Sequence, residues 1–376
     1  MEMCLLRGFA NPASQHSLGR RARRELEESR EELGRLLGVR TSGLRPDRVI
    51  FTSGGTEANN LALLGLAGAI SPNRPSRIII SAIEHPCVVG AAEELQRRGW
   101  QVDRLKVSRE GLVNPNELQE RIDYAQKNTD DGAWPVRLVS IMMANHETGV
   151  LQPIQQLAQV CVKNNVLFHT DAVQAAGKLK IDFQTLGVDA MTLSAHKFNG
   201  PSGVGALLLR TGLSLRPLVF GGFQQERLRP GTESLHQAVG MLTALQMWEA
   251  RRSDLLDQLE SLTKRFEKGL RDGDPTLLFN GRGAIRVPQT SNVAFPGVNR
   301  QALLLSLDQA DICCSTGSAC ESGSSEPSPV LIAMGLPIDH VNSSLRFSFG
   351  PSTKPAEIDT AVSRILKYSN RLRKMP

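Results

Sequence analysis

Short apolar runs alternate with amphipathic stretches through the first two-thirds of the chain. RVIFT (48–52), RIIIS (77–81), QVDRLKV (101–107), RLVSIMM (137–143), VLFHT (166–170), DAMTLSA (189–195) and GVGALLLR (203–210) read as strands. Helical spacing separates most of them, for example from Thr56 to Ala69 and from Pro153 to Lys163. Ahead of the first strand, Leu18, Ala22, Leu26, Leu33 and Leu37 mark one face of a long helix. Strands alternating with helices predict an α/β fold, a mostly parallel sheet covered by helices on both faces. From about Arg251 the pattern changes: a long helix, RRSDLLDQLESLTKRFEKGLRDG, leads into TSNVAFPG, ALLLSLDQADICCS and SSLRFSFG, a strand-rich α+β unit. This divides the chain into a large domain, 1–252, and a smaller C-terminal one, 253–376.

In a parallel sheet, ligands bind beyond the carboxyl ends of the strands. RVIFT runs into Ser53-Gly54-Gly55-Thr56-Glu57, RIIIS into Glu84 and His85, and RLVSIMM into Asn145 and Glu147. VLFHT runs into Asp171 and Gln174, and DAMTLSA into His196 and Lys197. Any one of these is ordinary turn chemistry, but five at one edge make a site. SGGTEANN starts a helix with two glycines and a threonine, whose free N–H groups and dipole favour an anion such as a phosphate. A phosphate subsite, the Asp171 carboxylate and the Lys197 amine together suggest pyridoxal phosphate, with the carboxylate keeping the pyridine nitrogen protonated.

The net charge of +6 does not redirect this reading. Much of the basic excess lies in GRRARRELEESREELGRLLG, where arginine and glutamate pair a turn apart, as on a solvated helix. No aromatic-flanked basic groove argues for nucleic acid, and no apolar run is long enough for a membrane span. The first residues, MEMCLLRGFANPAS, lack the pattern of a secretory signal, so a cytoplasmic location is expected. The six cysteines (Cys4, Cys87, Cys161, Cys313, Cys314 and Cys320) form no disulfide framework and, with the histidines, no zinc spacing. Cys320 differs from the others: it sits in STGSACESGSSEPS, among small residues suited to a loop. His16, His146, His169, His236 and His340 carry no expected catalytic role, and His169 is expected to point to the other side of its strand.

The segments IFTSGGTEANNLA, MMANHETGVLQPI, HTDAVQAAGK, SAHKFNGPSGVGAL, RPGTES and STGSACESGSSEPSPVLIAMG closely resemble the NifS/IscS type of cysteine desulfurase. That is a branch of the class V aminotransferase family with a pyridoxal phosphate fold of type I. The likeness runs almost continuously from GFANPASQHS to LRFSFGPSTKPAEID. It implies that Lys197 holds the cofactor, Asp171 pairs with the pyridine nitrogen, and Gln174 with the phenolic oxygen. His85 would stack on the ring and transfer protons, with Asn145 beside the cofactor. Gly55, Thr56, Ser194 and His196 would hold the phosphate, and Thr232 would reach the phosphate of a neighbouring subunit, implying a homodimer. Arg346 would grip the carboxylate of L-cysteine, and Cys320 would take the sulfur as a persulfide for an acceptor such as an iron–sulfur scaffold protein. Taken singly, His85 before Pro86 also reads as a helix start, Thr232 as a turn residue and Asn145 as a loop cap.

Two departures stand out. Family members usually open with a strand and an NNATTP-like segment, where this sequence has only MEMCLLRGF. Glu321 follows Cys320 where the family tends to carry threonine or serine, and a neighbouring carboxylate disfavours the thiolate. The same scaffold serves selenocysteine lyases, and a weakly active binding subunit is the reading from another class.

Overall fold

The computed structural model describes residues 10–70, 76–128, 134–317 and 326–374. These fall into two compact units. The first comprises Met1–Leu105, Pro115–Met143 and Pro153–Ala250, and the second Lys106–Asn114, Ala144–Gln152 and Arg251–Pro376. A single cut near residue 252 does not anticipate the two short excursions of the chain into the second unit.

Among the described residues the first element of this unit is helix α1 (Ser17–Leu36), started by the His16 ring accepting the Gly19 N–H. Ala22, Leu26, Ser29 and Leu33, spaced by fours and threes, form its buried stripe. Leu18, expected on that stripe, is exposed. The strands are β1 (Arg48–Thr52), β2 (Arg77–Ser81), β3 (Gln101–Leu105), β4 (Val136–Ser140), β5 (Leu167–Asp171), β6 (Ala190–Ser194) and β7 (Gly205–Leu209). Between them lie α2 (Gly55–Ile70), α3 (Pro86–Arg97), α4 (Pro115–Lys127), α5 (Ile154–Lys163) and the single turn α6 (Phe183–Leu186). Helix α7 (Leu235–Ala250) closes the unit and packs along α1.

The seven strands make one sheet in the order β1-β7-β6-β5-β4-β2-β3. All neighbours are parallel except β7, which runs antiparallel to both β6 and β1. The inner strands read as unbroken apolar runs because both faces are covered. β6 and β7 are buried at every position, and Ile78, Ile80 and Leu138 share a cluster with Leu61, Leu66 and Trp100. Burying a leucine or isoleucine of this kind contributes about 1.5–3 kcal/mol.

The reversed strand has a steric requirement. A Cβ on Gly205, opposite both Thr52 and Ser194, would lie 2.6 Å from the Leu193 oxygen and 2.6 Å from the Gly54 carbonyl carbon. Only glycine lets β7 begin between those two strand ends. Across the sheet, the outer edge of β1 is met by a side chain: the Gln225 amide oxygen accepts the Phe51 N–H at 2.7 Å, and its nitrogen donates to the Phe51 carbonyl at 2.8 Å. Gln225, Glu226 and Arg227 adopt positive φ of 48°, 58° and 65° to present that amide.

The second unit holds a three-stranded antiparallel sheet, β10-β9-β8, of Ser344–Ser348, Thr290–Ala294 and Leu278–Phe279. Helices α8 (Arg252–Gly273), α9 (Arg300–Asp308), α10 (Pro329–Ala333), α11 (Ile338–Val341) and α12 (Pro355–Arg373) complete it. Phe266, Phe295, Leu303, Leu345 and Ile365 form its core. Among the described residues no helix is long and apolar enough to cross a membrane.

Candidate active site

Strands β1, β2, β4, β5 and β6 point the same way, so their carboxyl ends share one edge of the sheet. Asp171 ends β5 and is 5% exposed. Its Oδ1 accepts the Val173 N–H at 2.9 Å, and its Oδ2 accepts an amide hydrogen of Asn59 at 2.6 Å. Burial raises its pKa, opposed by these two donors and by the charges of His85 and Lys197. Among the described residues no ion pair reaches this carboxylate, so a buried acid with spare lone pairs stands where a protonated ring nitrogen could meet it.

His85 caps α3, which begins there because Pro86 fixes φ at the first helical position. Its Nδ1 accepts the Cys87 N–H at 3.2 Å, as the helix-start reading expects, and the residue follows β2 at the carboxyl edge of the sheet. Lys197 lies in a short 3₁₀ turn, Ala195–Phe198, directly after β6, closed by Asn199 at φ 63°. Ser194 and His196 meet through Oγ and Nδ1 at 3.0 Å. Burial, then the charges of Lys197 and Lys178, lowers the His196 pKa. Gly55 opens α2, and a Cβ there would lie 2.9 Å from Val173 Cγ2 and 3.4 Å from Ser194 Cβ, so the helix start is pressed against β5 and β6. Thr56 is exposed at that helix start, and Glu57 anchors it by accepting the Ser53 N–H at 2.6 Å. Gln174 holds the Lys178 ammonium at 2.9 Å through Oε1. Thr232 is exposed, and among the described residues no hydrogen bond joins it to this group.

Asn145 and Arg346 belong to the second unit. The Asn145 oxygen accepts the Glu147 and Thr148 N–H groups, each at 2.9 Å, and the Thr148 hydroxyl at 3.1 Å, which makes it a loop cap. Arg346 donates from Nη1 to the His146 carbonyl at 2.7 Å, so the turn and the arginine are tied together. Burial lowers the Arg346 pKa, and Glu147 opposes this. Cys320 and Glu321, like Cys4, lie outside the described residues.

His169 corrects one expectation. It does not turn away from the Asp171 side: its Nδ1 meets Ser140 Oγ at 2.8 Å and its Nε2 meets Thr192 Oγ1 at 3.0 Å, and Thr192 is the cross-strand partner of Asp171. Residues two apart on a strand share a face. Burial pushes its pKa down to about 3, so it stays neutral and structural. Asn59 and Cys87 were not expected at the site, whereas Glu84 was expected only as a polar residue at the end of β2. Asn59 sits one turn after Gly55 on the buried face of α2. Cys87 touches both Asn59 and His85, and Glu84 is a buried acid whose Oε1 accepts from the Ser81 hydroxyl and the Met142 N–H.

A glycine-lined helix start, a buried acid and a lysine at one sheet edge are joined by a match to the family described as aminotransferase class-V over residues 1–360. The chain belongs to the class-V aminotransferase family. Among its relatives in that family is the cysteine desulfurase IscS of Dictyoglomus turgidum, 36% identical over 373 residues, which span 99% of this chain and 91% of that protein. A solved NifS-like protein superimposes with a TM-score of 0.86 at 31% identity, covering 96% of this chain and 92% of its own. A solved structure of SspA in complex with cysteine has a TM-score of 0.76 at 30% identity, covering 92% of each chain. The type I pyridoxal phosphate transferase fold expected from the sequence is thus the class-V aminotransferase fold found here.

Proposed function

We propose that this protein is a pyridoxal 5′-phosphate-dependent cysteine desulfurase, which takes sulfur from L-cysteine, releases L-alanine and keeps the sulfur as a persulfide on Cys320. The observation that carries the reading is the Asn59-bound Asp171 carboxylate at the same sheet edge as Lys197, in a chain whose relatives are named for that activity. When bound, the cofactor supplies the electron sink for breaking bonds at the substrate α- and β-carbons.

Lys197 offers the amine that holds the cofactor, and Asp171 keeps the ring nitrogen protonated. Gly55, Thr56, Ser194 and His196 present N–H, hydroxyl and imidazole donors to the phosphate. Gln174, whose Oε1 is taken by Lys178, would offer its amide hydrogens to the phenolic oxygen, and Thr232 of a second copy would complete the phosphate site in a homodimer. Fixing Nη1 on the His146 carbonyl sets the direction of the fork that Arg346 offers to the substrate carboxylate. Asn145, held rigid by its own turn, is the residue that the family resemblance would set beside the ring. His85 moves protons through Nε2, since Nδ1 is occupied. The Cys320 thiolate attacks the substrate sulfur: an S–S bond forms, the Cβ–S bond breaks, and the β-carbon takes up a proton. The persulfide then serves acceptors such as an iron–sulfur scaffold protein in the cytoplasm.

The test is to titrate the apoprotein with pyridoxal 5′-phosphate by visible spectroscopy, add L-cysteine together with dithiothreitol, which reduces the persulfide and frees its outer sulfur as sulfide, and quantify alanine and sulfide. Equal amounts of the two, with Cys320→Ala taking up the cofactor but releasing neither, are expected. Failure to take up the cofactor, or a keto acid in place of alanine, refutes the proposal. L-selenocysteine in a parallel assay distinguishes a lyase specific for selenium.

A further inference from the structure

A continuous line of donors runs between the Asp171 carboxylate and the His85 imidazole. The Asn59 amide nitrogen lies 2.6 Å from Asp171 Oδ2 and 3.2 Å from Cys87 Sγ, one hydrogen for each. Turning that amide over would set its oxygen against the carboxylate, so its direction is fixed. The Asn59 oxygen is left buried without a hydrogen-bond partner, as expected when both N–H groups dictate the orientation. With Sγ accepting from Asn59, the thiol hydrogen is directed at His85 Nδ1, 3.0 Å away. The Cys87 backbone N–H donates to the same nitrogen at 3.2 Å. An imidazole nitrogen that accepts such hydrogens carries none of its own. Burial, and after it the charge of Asp171, pushes the thiol up to about 12, so its hydrogen is in place at working pH. The Thr56 hydroxyl also reaches this thiol.

We propose that Cys87 is a positioning residue: its S–H and N–H together hold His85 as the tautomer with hydrogen on Nε2, while Sγ ties that ring to the amide orienting Asp171. The inference rests on the desulfurase reading only for its kinetic consequence, because the tautomer belongs to the resting protein. The other titratable groups around the imidazole, Asp171, Glu84 and Lys197, are unchanged in the variants that test it.

The experiment uses cofactor-loaded full-length protein labelled with ¹⁵N-histidine, and long-range ¹H–¹⁵N correlation without substrate. The His85 signals are assigned by their loss in His85→Gln. The wild type is expected to show Nδ1 unprotonated and Nε2 protonated. Cys87→Ala removes one donor to the neutral ring, so the His85 titration midpoint moves upward by about half to one pH unit. Cys87→Ser, which keeps a donor, restores most of that shift, and the acid limb of kcat/KM follows the same order. Hydrogen on Nδ1 in the wild type, or a midpoint that does not move in Cys87→Ala, overturns the proposal. The wild-type measurement stands even if the alanine variant misfolds. A protein with the expected tautomer but no action on L-cysteine would defeat the desulfurase reading and leave this one in place.

Discussion

Glu84 makes the stability of the protein depend on pH in a direction opposite to that of most carboxylates. It is 5% exposed, and its Oε2 has no hydrogen-bond partner. Burial outweighs the Ser81 and Met142 donors and pushes its pKa from 4.5 up to about 8. The sign follows from proton counting. Between those two values the folded protein holds a proton at Glu84 that the unfolded chain has lost, so raising the pH favours unfolding. At 1.36 kcal/mol per unit over the span from 4.5 to about 8, the loss approaches about 5 kcal/mol by pH 8 as an upper bound. Glu84→Gln keeps the shape and a donor but has no proton to lose. The test is thermal unfolding of both proteins at pH 5 and pH 8, at equal cofactor loading. The glutamine variant should gain on the wild type by several degrees at the higher pH, since about 1 kcal/mol moves Tm by roughly 2–4 °C in large domains. An equal difference in Tm at the two pH values would refute the reasoning.

Three further outcomes are expected. Lys197→Ala should lower turnover by about 10²–10⁴-fold while leaving the melting temperature of the apoprotein unchanged, as read from sulfide release and calorimetry. Asn59→Ala removes a hydrogen bond to a charged group, about 1.5–3 kcal/mol, and should weaken pyridoxal phosphate binding by about 10–100-fold in a spectroscopic titration. Gly205→Ala forces a Cβ to 2.6 Å from backbone atoms of Gly54 and Leu193, so denaturant titration should show a loss of about 1–3 kcal/mol.

The sheet edge was legible because parallel strands buried on both faces are apolar throughout, and polar residues appear only where the chain leaves them. Ser53, His85, Asp171 and Lys197 announce themselves in that way. Strand ends shifted by up to three residues, as in 137–143 against Val136–Ser140, because Ile141, Met142 and Met143 are apolar and buried without pairing as strand. Asn59 left no such mark. It lies inside a helix among alanines and leucines, and only the fold brings it to Asp171, 112 residues away in sequence. His169 was misplaced because two-residue alternation was not followed from Asp171. The segment Ala144–Gln152 reads as an exit from a strand, and nothing local says that it pairs with Arg286 of the second unit.

The Gln225 amide that pairs with Phe51 mimics one rung of a strand without being one. Arg30 donates from Nη1 to the Val49 carbonyl at 2.6 Å, the next acceptor along the same margin. Two side chains therefore occupy the hydrogen-bonding groups that an eighth strand would need, and the sheet is finite on that side by chemistry as well as by length. Three consecutive left-handed residues keep the plug in place, so a mutation that relaxed Gln225 to an ordinary conformation would open an adhesive margin to another molecule.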